Sequence, residues 1–358
     1  MDILILYPEI MPYNLPVWRI IRDMGYSIRV IQLGNKKLTP FQYNGETGID
    51  VHDISEWDSY HSFMSDNFDD SVRLLFVSEV MNKWYWRLAH KYHAHIKDLP
   101  IVLGSDAQWT GCRNNYIKKL LFPLTYKKIF THVLSAGLWQ VVYALNVGFK
   151  REQILTPLYC ANNELYYSVD INQKIGDYPR RFLFVGRFNE VKGIREMLQA
   201  WSQITQKKGW VLTLVGNGPM EEEIKHTKDI EILPFLQQDE ICKLMQSSGC
   251  ALVPSRAEPW GLVIHEATAA GMPIIVSRNC GATHRFVINN YNGLIVEARD
   301  VDSLQTAMQT VIDTDTARLI EMSKRSRKLS ENILPEHVAY SLISLVKEFH
   351  SPTNSWGK

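Results

Sequence analysis

The chain has 358 residues, 46% of them hydrophobic, so it is long enough to bury the cores of two ordinary domains. Lys and Arg number 39 against 38 Asp and Glu, a balance that excludes a general attraction to nucleic acid. The five cysteines are scattered and never spaced as a metal-binding or redox pair, which favours a reducing cytoplasm.

Short apolar runs alternate with helical patterns along the first half of the chain, as in parallel βαβ units. The run at residues 2–7 has no cationic start or cleavage site and predicts a buried strand rather than a signal. The other strands are predicted near residues 26–33, 73–79, 101–104, 132–135 and 154–159. The helices are predicted near residues 14–24, 82–97, 112–130 and 138–147.

The second half repeats this alternation. Its strands are predicted near residues 181–186, 210–215, 230–233, 250–253, 273–277 and 293–297. Turn residues interrupt the pattern around 160–179, and we expect an N-terminal domain at 1–165 and a C-terminal domain at 166–334. The pattern predicts two doubly wound α/β domains with a cleft between them, and ligands beyond the carboxyl ends of the strands.

Two cations follow the strand that ends in Gly186. Arg187 comes directly after it, and Lys192 lies five residues further on, at the start of the next helix. Arg can fork across two phosphate oxygens and Lys adds a compact charge, so the pair suits a diphosphate. The alternative is an ordinary solvated strand end.

A tight loop after the strand at 250–253 leads into another helix. The first amides of that helix, near Gly261 and Leu262, have no partners within it and attract phosphate or sugar oxygens. Glu258 precedes the helix and Glu266 lies a turn inside it, so the two carboxylates can address opposite ends of a nucleotide sugar. The alternative is a pair of ordinary glutamates on the surface of a helix.

With its flanks, this segment resembles the retaining glycosyltransferases of family 4. Glu258 and Glu266 form a Glu-x7-Glu pattern, followed by Gly271-Met272-Pro273, and the resemblance covers the C-terminal half. It implies the GT-B fold, in which two Rossmann-like doubly wound domains face across a cleft. It also implies that a C-terminal helix at about 335–350 packs back on the N-terminal domain.

The resemblance assigns roles by motif position. Arg187 and Lys192 would bind the diphosphate, Glu266 the ribose and Glu258 the donor sugar, with Arg187, Lys192 and Glu258 acting in catalysis. The further donor-binding positions implied are Gly216, Pro234, Phe235, Trp260, Gly261 and Leu262. Gly216 is equally well interpreted as a strand-to-helix turn. No metal or cofactor is expected, since the cations replace a metal; the acid pair Asp313 and Asp315 is the alternative.

The N-terminal half departs from the family pattern, because Tyr7-Pro8-Glu9 follows the first strand where a glycine-rich loop is usual. Asp106, after the strand at 101–104, is the candidate for the catalytic position near the reacting carbon. Its alternative role is to cap the helix after it.

The predicted activity is transfer of a sugar from a nucleotide diphosphate donor to an acceptor hydroxyl, with retention of configuration. A UDP-sugar is the favoured donor and a GDP-sugar the alternative, and the product would be a surface polysaccharide or glycoconjugate. The acceptor would be a sugar, a glycolipid or another hydroxyl compound. The rival functions are a nucleotide-sugar epimerase of the same fold and a catalytically silent nucleotide-sugar binding protein.

The segment between Cys112 and Phe130 combines basic and apolar residues. One interpretation is a helix that attaches an otherwise cytoplasmic protein weakly to an anionic membrane surface, at its periphery. The other is a core helix of the N-terminal sheet with a solvated basic side. Pro123 interrupts the run and argues against one continuous surface helix.

Overall fold

The computed structural model describes residues 1–34, 41 and 48–350, which divide into two compact units. The first contains Met1–Tyr159 together with the C-terminal helix that begins at Pro335, and the second contains Cys160–Leu334. Each unit is built on one parallel sheet. The predicted α/β class with two doubly wound, Rossmann-like domains is therefore confirmed.

The first sheet has seven parallel strands in the order β3-β2-β1-β4-β5-β6-β7. The strands are β1 Ile3–Tyr7, β2 Ile28–Gln32, β3 Asp50–Asp53, β4 Leu74–Val77, β5 Ile101–Ser105, β6 His132–Ser135 and β7 Ile154–Leu155. The helices of Met1–Tyr159 are α1 Asn14–Asp23, α2 Tyr60–Asn67, α3 Lys83–His95, α4 Arg113–Leu121 and α5 Leu138–Asn146. The inner strands read as continuous apolar runs because both faces of a parallel sheet are covered.

The second sheet has six parallel strands in the order β10-β9-β8-β11-β12-β13. The strands are β8 Arg181–Val185, β9 Val211–Val215, β10 Ile230–Leu233, β11 Cys250–Val253, β12 Ile274–Ser277 and β13 Gly293–Val296. The helices are α6 Asn163–Tyr167, α7 Ile194–Gln203, α8 Glu221–Lys225, α9 Gln238–Gln246, α10 Leu262–Ala269, α11 Thr283–Phe286, α12 Val301–Asp313 and α13 Thr316–Ser330. Phe182 of β8 and Trp201 of α7 are buried in its core.

Two sequence predictions about the first unit were wrong in detail, and two of its elements were missed. The helix predicted over 112–130 ends at Leu121 and continues as two short 3-10 turns, since Pro123 cannot donate a helical hydrogen bond. The strand predicted over 154–159 stops at Leu155, two residues before Pro157. The edge strand β3 and the helix α2 were missed because both are polar. No helix in the part of the chain described is long and apolar enough to cross a bilayer.

The last helix, α14 Pro335–His350, belongs to the first unit and packs against α1. Its apolar residues recur at helical spacing, and Val338, Leu342, Leu345 and Val346 are all buried. The stripe thus covers apolar surface of α1, which comes more than 300 positions earlier in the chain.

We expect Leu342→Ala to destabilise the first unit by about 2–5 kcal/mol, because it leaves a cavity where α14 is packed. Leu342 is 3% exposed. The matched control is Tyr340→Ala on the same helix, where the side chain is 55% exposed and the expected change is within about 0.5 kcal/mol. Urea unfolding of both variants checks this, and equal midpoints would contradict the packing of α14.

Candidate active site

The strand order of the second sheet reverses between its two central strands. From β8 the chain runs outward through β9 and β10, then returns to β11 on the other side of β8 and continues to β13. In open parallel sheets such a switch point leaves a crevice beyond the carboxyl ends of the strands, where ligands bind. The connections after β8 and β11 are therefore where chemistry is expected.

Two glycines let the connections after β8, β9 and β11 pack backbone against backbone. Gly193 has φ +71°, and a Cβ there would lie 2.2 Å from the carbonyl oxygen of Pro254. Gly216 has φ +145°, and a Cβ would lie 2.0 Å from the carbonyl oxygen of Gly186. Any larger residue would push these loops apart. Gly216 thus has a structural reason to be glycine, and its contact with a donor stays a prediction.

Lys192 and Glu258 form an ion pair across the switch point. Lys192 ends a short helical turn after β8, Glu258 lies in the loop after β11, and the side chains are 25% and 16% exposed. The backbone amide of Glu258 donates to the Asn279 carbonyl oxygen (3.2 Å), and the Glu258 carbonyl oxygen accepts from the Gly281 amide (3.0 Å). Arg187, in the same connection as Lys192, is exposed. The fold thus joins two predicted site residues that are 66 positions apart.

Glu266 lies inside α10, which begins after Gly261 in the left-handed conformation (φ +89°). The side chain is largely buried, and its Oε1 accepts a hydrogen bond of 3.3 Å from the Gln238 amide. Burial raises the pKa of Glu266 to about 7, against the opposing effects of the Tyr166 hydroxyl and the Gln238 amide. Glu266 can therefore gain or lose a proton near neutral pH.

Sequence reasoning missed Tyr166 and Gln238 as neighbours of Glu266. Tyr166 lies in α6 and is fully buried, while Gln238 is the first residue of α9. No local motif links them to the glutamate, since the three residues lie on three separate helices. Only the packing of α6 and α9 near α10 brings them together.

The remaining predicted donor-binding positions differ in accessibility. Pro234 is exposed and Phe235 is partly buried, directly after β10, where the Leu233 carbonyl oxygen accepts from the Gly216 amide (3.1 Å). Leu262, the first residue of α10, is partly buried. Trp260 is buried, with its ring against Phe286, and its contact with a donor stays a prediction.

Asp106 lies in the first unit, directly after β5, and it is exposed. It does not cap a helix, because α4 begins seven residues later and its N-cap is Cys112. The Asp106 carbonyl oxygen accepts from the Gln140 amide at 3.3 Å. Burial, and then the charges of Tyr7 and Asp106, raise the pKa of Tyr159 well above its usual range, so Tyr159 is a neutral neighbour of Asp106. A catalytic role for Asp106 stays a prediction.

The acid pair considered for a metal has other partners. Asp313, the last residue of α12, accepts a hydrogen bond of 2.6 Å from the Lys208 ammonium. Asp315 caps α13 by accepting from the Arg318 amide at 2.8 Å. Both carboxylates thus have local structural roles.

Residues 170–332 match the family model described as "Glycosyl transferases group 1". This segment lies within the second unit and includes the switch point, Glu258 and Glu266. The second unit therefore carries a Glycosyl transferases group 1 domain.

Curated relatives and solved structures are consistent with this domain. The chain is 32% identical to a glycogen synthase of Mycobacterium tuberculosis over 147 residues, which are 39% of this chain and 35% of the relative. An uncharacterized glycosyltransferase of Methanocaldococcus jannaschii is 26% identical over 356 residues, which cover 90% of each chain. The chain thus spans about a third of the glycogen synthase but most of the archaeal protein.

The fold is shared with solved structures, among them a glycosyltransferase of Rickettsia africae ESF-5 (TM-score 0.75, 15% identity, over 98% of this chain and 99% of that one). Anabaena Alr3699/HepE, solved in complex with UDP, superimposes with a TM-score of 0.70 at 15% identity, over 97% of this chain and 98% of that one. At this identity the likeness shows the GT-B fold, with two Rossmann-like domains, and does not by itself assign a substrate.

Proposed function

We propose that the chain is a metal-independent glycosyltransferase of the retaining family 4 type that transfers a sugar from a nucleotide diphosphate to an acceptor hydroxyl. The observation that carries the proposal is the Lys192–Glu258 ion pair at the switch point of a Glycosyl transferases group 1 domain. Here a cation suited to the leaving diphosphate and a carboxylate suited to the transferred sugar are in contact.

The donor diphosphate would replace Glu258 as the ion-pair partner of Lys192. Lys192 moves its charge to the phosphate oxygens, Arg187 adds a second cation, and the first amides of α10 add hydrogen-bond donors. The Glu258 carboxylate is released by this exchange and accepts hydrogen bonds from the sugar hydroxyls. This exchange couples donor binding to the arrangement of the sugar.

In the reaction the acceptor oxygen bonds to the anomeric carbon while the bond from that carbon to the phosphate oxygen breaks. The electron pair of the breaking bond goes to the diphosphate, and the acceptor proton leaves to the diphosphate or to solvent. Negative charge grows on the diphosphate, so Arg187, Lys192 and the start of α10 stabilise the transition state more than the ground state. Because these groups neutralise the leaving group, no metal or cofactor is needed.

The other ends of the donor and acceptor are assigned to named residues. Glu266 holds the ribose hydroxyls, and the backbone at Pro234 and Phe235 faces the base. Asp106 serves the acceptor side from the first unit. Complexes of Anabaena HepE with UDP support a UDP-sugar donor, with a GDP-sugar as the alternative. We assign the product to polysaccharide or glycoconjugate synthesis in the cytoplasm.

Donor binding is expected to strengthen about tenfold between pH 6 and pH 8. With a pKa of about 7, Glu266 is about one-tenth ionised at pH 6 and about nine-tenths at pH 8. Ribose hydroxyls donate to the ionised carboxylate, so binding favours the deprotonated form and the affinity rises as pH increases through 7. Calorimetry with UDP-glucose measures this effect, because its doubly esterified diphosphate does not titrate in that range.

Two variants separate this effect from a general pH response. Glu266→Gln should bind UDP-glucose more weakly at pH 8 and show no rise between pH 6 and pH 8. Glu297→Gln, at an exposed carboxylate of the same unit, should retain the wild-type profile. A pH dependence that persists in Glu266→Gln would show that Glu266 does not hold the ribose.

A further inference from the structure

Helix α4 leaves its apolar side chains in solvent. Tyr116, Ile117, Leu120 and Leu121 are 43–74% exposed, and the one buried residue of this nine-residue helix is Asn115. A surface helix normally turns its apolar stripe toward the core. Helix α4 itself is therefore not the core helix of the alternative interpretation, although the Tyr116 ring contacts Trp109 at 5.3 Å between ring centres.

The orientation of α4 is fixed by polar contacts on its inner side. The Asn115 side-chain oxygen accepts from the Thr110 amide (2.8 Å) and the Thr110 hydroxyl (2.9 Å). The Asn115 amide donates to the Gln108 carbonyl oxygen at 3.3 Å. Because a buried asparagine needs such partners, rotation of the helix to bury the leucines would leave it unsatisfied. The apolar residues therefore stay outside.

Neighbouring elements extend this apolar surface. Lys118 of α4 lies 5.9 Å from the ring centre of Tyr143 in α5, so the two helices are adjacent. Four large apolar residues on α5 and the turn after α4 are 39–66% exposed: Leu124, Leu138, Val142 and Leu145. We call these eight residues of α4, α5 and the intervening turn the α4–α5 surface. Contiguous exposed apolar groups mark interaction sites in soluble domains.

The charge around the α4–α5 surface is predominantly positive, with Glu152 paired to Lys150 at its edge. Residues 107–151 contain seven Lys or Arg residues and no Asp or Glu. The whole chain, by contrast, has 39 Lys and Arg residues and 38 Asp and Glu residues. The exposed cations are Arg113, Lys118, Lys119, Lys128, Lys150 and Arg151. An apolar centre with cations around it is complementary to a surface that is negatively charged outside and apolar beneath.

We propose that the α4–α5 surface docks on the headgroup region of an anionic lipid bilayer. The leucines would enter the boundary between headgroups and acyl chains while the lysines contact lipid phosphates. A second copy of the chain is a poor occupant, because a symmetric contact would place the same cations opposite one another. Nucleic acid would contact the cations through its phosphates but would not bury the leucines. The proposal does not depend on the glycosyltransferase assignment, since it concerns binding alone.

Vesicle co-sedimentation of the full chain tests the proposal. We expect binding to phosphatidylcholine vesicles that contain about 30% phosphatidylglycerol, and at least tenfold weaker binding to pure phosphatidylcholine. Raising the salt concentration from about 50 mM to about 500 mM should reduce binding to the anionic vesicles at least tenfold, because surface charges are screened.

Matched variants separate the two components of the surface. The charge variant combines Lys118→Gln, Lys119→Gln and Lys128→Gln, and its control combines Lys83→Gln, Lys97→Gln and Lys347→Gln. The apolar variant combines Leu120→Ser, Leu124→Ser and Leu138→Ser, and its control combines Met81→Ser, Ile175→Ser and Ile288→Ser. All twelve positions are exposed, so the fold should be retained. Each surface variant should lose at least tenfold in binding, and each control should stay within about twofold of wild type.

A label at Cys112 gives a direct readout. Cys112, the N-cap of α4, is exposed, and the other four cysteines are buried. Hydrogen bonds from Thr110 and nearby backbone amides lower the pKa of this thiol, which favours its labelling. A polarity-sensitive dye at Cys112 should shift to the blue on anionic vesicles. The proposal would be overturned if the chain did not bind anionic vesicles at low salt, or if the surface variants and their controls lost vesicle binding equally. It would also be overturned if the chain formed a stable dimer and the dye emission did not shift on vesicles.

Discussion

Replacing Lys192 or Arg187 with alanine is expected to lower kcat/KM for a nucleotide sugar by about 10²- to 10³-fold, equivalent to about 2.7–4 kcal/mol. Each change removes a cation from the connection after β8, where the leaving diphosphate gains charge. Lys192→Ala also removes the Lys192–Glu258 ion pair, so its effect should be the larger one. Initial rates of nucleoside diphosphate release measure both variants.

The control is Arg195→Ala, three residues beyond Lys192. Arg195 is a half-exposed cation of α7 that pairs with Glu190 and Glu223, and its loss should change kcat/KM by less than about threefold. Lys192→Arg, which retains the charge, should recover part of the activity. Full activity in both Lys192→Ala and Arg187→Ala would show that the diphosphate does not bind at the connection after β8.

Replacing Glu258 with glutamine is expected to lower kcat by about 10- to 100-fold and to change UDP affinity little. The carboxylate is proposed to accept hydrogen bonds from the transferred sugar, and such bonds to a charged group contribute about 1.5–3 kcal/mol. UDP has no sugar on its outer phosphate, so calorimetry with UDP reports the nucleotide contacts alone. The combination of lost turnover and retained UDP binding distinguishes Glu258 from Lys192.

Glu190→Gln is the matched control for Glu258→Gln. Glu190 lies in the same short turn as Lys192 and pairs with Arg195 at the surface. Wild-type turnover is expected for Glu190→Gln. If Glu258→Gln weakened UDP binding as strongly as it lowered kcat, Glu258 would act on the nucleotide and its assignment to the sugar would be wrong.

The fold of the second unit could be predicted from sequence because its inner strands are buried on both faces. Cys250–Val253 appears as a short apolar run between turn residues, and the predicted bounds agree with β11. The first unit was harder. Asp50–Asp53 is a polar edge strand that lacks this pattern, and it was recognised only from its pairing with β2.

The features of the site also differ in how far they could be predicted, because some depend on one short segment and others on contacts between distant elements. Glu258 and Glu266 were recognisable because they share one short segment with a helix start. The Lys192–Glu258 ion pair depends on β8 and β11 being neighbours, which the strand order determines. The raised pKa of Glu266 depends on burial and on Tyr166 and Gln238, which come from α6 and α9. Likewise, the motif drew attention to Trp260 but contained no sign that its ring is buried.

The activity proposed for this chain is transfer of a sugar from a nucleotide donor with its anomeric configuration retained. The most direct test is proton NMR of the wild-type chain mixed with UDP-glucose, UDP-galactose, UDP-N-acetylglucosamine or GDP-mannose and a panel of saccharide acceptors. We predict that one donor yields free nucleoside diphosphate together with a new glycoside of unchanged anomeric configuration, and only when acceptor is present. A sugar nucleotide converted to its epimer, or one that binds and stays intact in every mixture, would contradict the proposed sugar transfer.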